Sequence, residues 1–296
     1  MNAKYEFVPG DEITIATGRT VKRIRALVAI SNFVSPGALG GYIESEKSLD
    51  ASGDAWVYGN ARVYGDARVY GDARVSGDAR VYGDARVYGN AQVYGNAQVY
   101  GNAQVHGNAR VHGDAQVYGN AWVYGNAQVY GDAQVYGNAW VYGNAWVYGD
   151  ARVYGDAWVY GNARVSGDAQ VYGNAQVYGN ARVSGNAQVS GDARVYGDAW
   201  VYGDAWVHGN AWVYGDARVS GRGEIFWATG VGTENGTLTV YNTKDNSLEV
   251  TRGCFRGSVD EFLSASEAKH DDQTHLEYSL LIEVAHSRIS RAQVKS

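Results

Sequence analysis

From residue 55 to residue 222 the chain repeats one pattern, Ala-x-Val-(Tyr/Ser/His)-Gly-(Asn/Asp), without an insertion or deletion, Arg222 standing at the last corner. Ala recurs at every sixth position from Ala55 to Ala217, which makes 28 hexads, and a degenerate hexad, Leu49 to Asp54, leads in. In an extended strand, side chains alternate between two faces. Ala and Val share one parity, and x lies between them. The x column holds only Arg, Gln and Trp, and a charged arginine cannot fill a dry core unpaired. Ala and Val therefore point inward and x points outward. Gly reaches positive φ freely and Asn or Asp tolerates it, so Gly-Asn or Gly-Asp turns a corner. One hexad becomes one side of a triangle, and three hexads make an 18-residue coil. The pattern predicts an all-β solenoid, a parallel β-helix of about nine coils and about 45 Å at about 4.8 Å per coil. A helix is excluded, because a period of six does not match 3.6 and each Gly would cost about 1 kcal/mol.

The repeat stops at both ends, which divides the chain into residues 1–48, 49–222 and 223–296. A solenoid exposes unpaired strand edges at its ends, so the flanks are expected to act as caps. In the β-rich N-terminal cap, Glu12 to Ala16 and Ile24 to Ile30 read as strands around a turn at Thr17-Gly18-Arg19. In the α+β C-terminal cap, Gly236 to Tyr241 and Ser247 to Thr251 read as a hairpin. Ser258 with Glu261 fits a capping box. A last helix over about 274–290 carries Leu276, Leu280, Leu281, Val284 and Ile289 on a mostly helical spacing.

The unit Val-Tyr-Gly-Asn-Ala-Gln resembles the hexapeptide motif of left-handed β-helix proteins, with an aliphatic first residue and a small fifth one. The wider string, Leu39-Gly40-Gly41-Tyr42-Ile43-Glu44-Ser45-Glu46 followed by the hexads, resembles the YdcK-like β-solenoid proteins over residues 36 to 222. The resemblance implies a left-handed winding. The segment Thr251 to Phe262 is similar to a module seen in phage and prophage proteins.

Positions 18 apart stack on one face. The face through Arg68 has the x column Arg68, Arg86, Gln104, Trp122, Trp140, Trp158, Gln176, Arg194, Trp212. Its corner column holds six successive Asn, from Asn90 to Asn180. Such ladders stack aromatics and bond amides along the axis. One reading is that they only stabilise the coils. The other is that Trp122, Trp140 and Trp158 form a strip that binds a glycan, an exposed nucleobase or a partner protein. Trp200, Trp206 and Trp212 fall on three faces of one late coil and make a collar, either a binding surface or packing against the cap or a second subunit. A column of four carboxylates, Asp114, Asp132, Asp150 and Asp168, is a weak candidate for Ca²⁺, set against a solvated acidic edge.

Other chemistry is sparse. His106, His112 and His208 replace Tyr and read as surface substitutions rather than general bases. His270-Asp271-Asp272 with His275 has ligand-like composition but fits a turn and N-cap. Cys254 has no nearby His and is expected in a β-to-helix turn. No phosphate-binding loop motif occurs, and no cofactor is implied. Composition narrows the rest: 296 residues hold 40 Gly, 24 Tyr and 9 Trp but only 2 Pro and 1 Cys. One Cys excludes an internal disulfide framework. No apolar run suits a signal peptide or a membrane span, so a cytoplasmic protein is expected. A net charge of −6 argues against bulk phosphate binding and makes direct nucleic-acid contact an unfavoured expectation. The leading reading is a non-enzymatic scaffold, phage-related, acting through protein contacts, with a dimer or trimer open. The alternatives are a phage inhibitor of a host defence or nucleic-acid-binding protein, an acyltransferase-like enzyme, and a glycan binder.

Overall fold

A computed structural model describes residues 3–293; residues 1–2 and 294–296, the extremes of the two predicted caps, lie outside the described residues. The chain divides into two compact units, Met1–Asp156 and Ala157–Ser296.

In the first unit every hexad contributes a two-residue strand made of x and Val, such as Arg62–Val63 and Trp122–Val123. The strands pair in parallel with a partner 18 residues on, as in Gln92↔Arg110 and Trp122↔Trp140. Three parallel sheets result, one for each side of the coil. The ladder is regular because Trp122 N–H donates to Ala139 O at 2.9 Å, Tyr124 N–H to Val141 O at 3.0 Å and Asn126 N–H to Gly143 O at 2.7 Å. Ala121 and Val123, like their counterparts throughout, are fully buried. Burying a Val side chain is worth about 1.5–3 kcal/mol, so the inward columns drive the fold. The corner glycine has two reasons to be glycine. Gly125 has φ +70°, and a Cβ there would sit 3.0 Å from the Gly143 nitrogen.

The N-terminal strands extend one of these sheets. Strands β1 (Tyr5–Thr14), β2 (Thr20–Ala26) and β3 (Leu39–Ile43) follow in order, and β3 pairs in parallel with Arg62–Val63. The hairpin differs from the expected one: β1 stops at Thr14 and β2 stops at Ala26, short of Ile30. Ile15 N–H bonds Arg19 O at 2.9 Å and closes the turn. β1 is the open edge, and its pairing breaks between Phe7 and Glu12 around Pro9 and Gly10. A broken register and a proline blunt an edge against further pairing. Trp56 departs from the outward rule for x. It is fully buried beneath Tyr5, with ring centres 6.2 Å apart, because the hairpin covers the first hexad.

The second unit has eleven more hexad strands with the same 18-residue register, for example Arg164↔Arg182 and Arg194↔Trp212. A four-stranded antiparallel sheet follows, made of Ile225–Val231, Gly236–Asn242, Leu248–Arg252 and Phe255–Ser258. Helices α1 (Val259–Lys269) and α2 (Asp272–Gln293) pack on it. The predicted hairpin is present, flanked by two strands that the sequence pattern did not reveal. Cys254 is therefore in a tight strand-to-strand turn with Gly253, not before a helix. The capping box forms as expected: Ser258 N–H donates to Glu261 Oε2 at 2.8 Å, and Glu261 N–H to Ser258 Oγ at 3.3 Å. The α2 face differs. Tyr278, Ile282, Ala285 and Ile289 are buried, whereas Leu276 and Leu280 are 56% and 53% exposed and Val284 is also exposed. The buried set follows a cleaner i, i+4, i+7, i+11 stripe, and its tyrosine and alanine hid it among stronger hydrophobes.

Candidate functional site

The outer surface of the coils is built from side-chain stacks and ladders. Tyrosines 18 apart stack with ring centres 4.8–4.9 Å apart in the runs Tyr64–Tyr82–Tyr100–Tyr118–Tyr136–Tyr154 and Tyr124–Tyr142. Burial raises the hydroxyl pKa of several of them. For Tyr82 and Tyr196 burial acts first and the neighbouring tyrosines add to it, and the values are pushed up to about 12. Gln in the x column serves these rings. Tyr88 OH donates to Gln104 Oε1 at 3.2 Å, and Tyr100 OH to Gln116 Oε1 at 3.3 Å. His106 and His112 sit within the stacks, on Tyr88 and Tyr94 at 4.7 Å. Burial lowers both imidazole pKa values.

The corner column is directional. Corner Asn residues donate from Nδ2 to the next corner's Oδ1: Asn102 to Asn120, Asn120 to Asn138, and Asn138 to Asp156, at 2.9–3.0 Å. The same order gives Asn162 to Asn180 to Asp198, and Asn96 to Asp114. A carboxylate accepts but cannot donate, so an Asp ends each of these runs. Asp114 is thus the acceptor of an amide. Among the described residues no group of three or more His, Cys, Asp or Glu is placed to hold a metal, and Asp114, Asp132, Asp150 and Asp168 form no such group.

The predicted tryptophans fall into three settings. Trp122 and Trp140 stack at 5.3 Å and 7° and are half-buried, so their facing surfaces cover each other. Trp158 belongs to the second unit, is 38% exposed, and pairs with Gln176. The collar residues occupy three sheets. Trp200 has the Arg182 and Arg218 guanidinium groups over its ring, each 4.6 Å from the centre. Trp206 lies 4.5 Å from His208 and under Arg222. Trp212 has Arg194 over its ring and faces the C-terminal sheet.

The docking of Trp212 on that sheet was not legible in the sequence. Trp212–Val213 has no further coil beyond it, and side chains supply the missing ladder. Thr251 Oγ1 donates to Trp212 O at 3.0 Å. Tyr214 N–H donates to Tyr241 OH at 3.3 Å, and that hydroxyl lies 2.7 Å from Glu249 Oε1. Burial and the facing Glu249 push the Tyr241 hydroxyl far above its usual range. The His-Asp segment is structural in its contacts. Thr274 N–H donates to Asp271 Oδ1 at 2.8 Å, capping α2 and holding that carboxyl below its ordinary value. His275 Nδ1 is 3.3 Å from Ser266 Oγ. No described helix is long and apolar enough to cross a membrane.

A family model described as the YdcK beta solenoid repeat matches twelve overlapping or adjacent segments between residues 55 and 213, together more than half of the chain. No curated protein matches the sequence.

Proposed function

The chain belongs to the YdcK β-solenoid repeat family, and from that premise we propose that it works without catalysis, as a scaffold that binds a protein partner through its coil surface. One observation carries this reading. Trp200, Tyr202 and Trp206 are exposed within a seven-residue stretch, and Arg182, Arg218 and Arg222 lie over the two indoles. Interface cores are enriched in Trp, Tyr and Arg, and a few such residues carry most binding energy. Here the rings are already held in place by their arginines, so little side-chain entropy is lost on docking. The glycan alternative gains less support, since Trp122 and Trp140 cover each other's faces and a sugar stacks on a face. The family match ends at residue 213 and does not bear on the phage-like segment from Thr251 to Phe262; a host protein is the partner class which that likeness suggests. Self-association into a dimer or trimer is the other form of the same reading, and the site of action is taken as the cytoplasm.

The test is affinity capture at low salt with wild type and with a Trp200→Ala/Trp206→Ala variant. The expected result is one partner, or a second copy of the chain, held by wild type and lost in the variant. Equal recovery by both proteins, or none by wild type, would refute the reading.

A further inference from the structure

A chain of net charge −6 gathers three arginines at one cleft. The cleft lies where the end of α2 meets the start of the C-terminal sheet. It encloses about 450 Å³ and is lined by Arg222, Ile225, Phe226, Trp227, Arg288 and Arg291. Its construction follows from one glycine. A Cβ on Gly223 would stand 2.5 Å from the Ala292 Cβ, so only glycine lets the helix end come this close. That approach sets Arg288 and Arg291, three residues apart on the helix, beside Arg222. Cations near a helix C-terminus are favoured by the helix dipole, yet none of these three guanidinium groups has a carboxylate partner among the described residues. Arg222 instead lies over the Trp206 ring, 5.4 Å from its centre. It also lines an adjoining cleft of about 350 Å³ with Trp206. The His208 ring bridges the two indoles, 4.5 Å from Trp206 and 4.2 Å from Trp227.

We propose that these joined clefts bind single-stranded nucleic acid. The phosphates would lie against Arg222, Arg288 and Arg291, one base against Trp227 and its neighbour against Trp206. Two indoles beside a cluster of guanidinium groups match the combination of stacking platform and basic groove by which strands are held without sequence preference. Inorganic phosphate would leave the indoles unused, and so would an acidic peptide. The volume suits a nucleotide unit, since small-molecule sites span roughly 300–1,000 Å³. Local charge decides here: a guanidinium cluster acts over about one Debye length, about 8 Å in physiological salt, and against the three arginines the only carboxylate lining either cleft is Asp204, in the second. This binding goes beyond the protein-contact function; the two share Trp206 and Arg222, whereas Arg288 and Arg291 belong to the strand site alone, so the Arg288→Gln/Arg291→Gln variant tells them apart.

The test is fluorescence anisotropy of the full chain with a labelled oligothymidylate of about ten nucleotides, within the roughly 4–16 that such grooves cover, titrated with salt. Saturable binding that weakens with salt is expected. For single strands the logarithmic slope changes by about 0.7 for each phosphate that the protein ceases to neutralise. The Arg288→Gln/Arg291→Gln variant should therefore bind more weakly with a slope shallower by about 1.4. Both side chains are exposed, and an unchanged circular dichroism spectrum would exclude misfolding. Trp206→Ala should weaken binding without altering the slope. Anisotropy that stays flat at low salt, an unchanged slope in the double variant, or equal displacement by adenosine monophosphate or by polyglutamate would overturn the proposal.

Discussion

Thr239 and Trp212 are 27 residues apart, and the threonine hydroxyl takes the hydrogen bond that another coil would have taken: Trp212 N–H donates to Thr239 Oγ1 at 3.1 Å. With Thr251 and Tyr241 it satisfies a strand edge that would otherwise be open. A buried polar group left unpaired costs about 1–3 kcal/mol. Thr239→Val is expected to destabilise by about that amount, read as a lower denaturant midpoint, with a larger drop for the Thr239→Val/Thr251→Val pair. Light scattering should also show end-to-end association, since an unpaired edge invites a second strand. A monodisperse double variant of wild-type stability would remove the capping role.

The two constraints on the corner glycine can be separated. Gly18 has φ +78° with open space around the missing Cβ, whereas Gly125 has φ +70° and a backbone neighbour at 3.0 Å. Gly18→Ala should cost about 1 kcal/mol from conformation alone, and Gly125→Ala more than that. Equal midpoint shifts would show that the close approach relaxes freely.

The amide ladder predicts opposite outcomes for two isosteric changes. Asn126 accepts from Asn108 and donates to Asn144. Asn126→Asp removes that donor and should cost about 1 kcal/mol. Asp114→Asn keeps the acceptor for Asn96 and adds a donor, so it should be neutral or stabilising. Thermal melts of the two variants decide the matter, and destabilisation by Asp114→Asn would contradict the directional account.

Stability should fall as the tyrosine stacks meet alkaline solution. Tyr82 and Tyr196 are pushed up to about 12 in the folded chain, from an ordinary value of 10. A raised pKa stabilises fully below the unfolded value and is lost as pH rises through the folded one. Between pH 10 and 12 the denaturant midpoint should fall as tyrosinate absorbance rises. Titration near pH 10 with the fold intact would refute burial of these hydroxyls as the cause.

Acid should act through the histidines with the opposite sign. Burial lowers the His106 and His112 pKa values below the ordinary 6.5. Their stabilisation is present above the unfolded pKa and is lost as pH falls below about 6.5. His106→Tyr/His112→Tyr restores the uniform stack, so its midpoint should change less between pH 7.5 and 5 than that of wild type. An equal change in both proteins would remove the histidines as the cause.

The inward Ala and Val, the turning glycines and the 18-residue register were legible in the sequence because each follows from strand parity or from φ, which are local properties. What escaped depends on packing between distant segments. Trp56 occupies an outward position and is buried only because the N-terminal hairpin closes over it. The α2 stripe was hidden because Leu276 and Leu280 outrank Tyr278 and Ala285 in hydrophobicity while facing solvent. The collar at Trp200, Trp206 and Trp212 was readable from column arithmetic. The three arginines at Trp227 were not, because Gly223 alone brings Arg222 and α2 together.

The register also imposes a counting rule on how such a chain can change length. Trp122 meets Trp140, and Asn108 meets Asn126, because their separation is 18 residues. Loss of three hexads would rejoin every column to a like column. Loss of one would rotate all later columns by a face, setting tyrosine runs and amide runs against unrelated partners while leaving the Ala and Val core intact. Length variation in this chain is therefore expected to come in steps of 18 residues, with single-hexad changes foldable but stripped of their outer order.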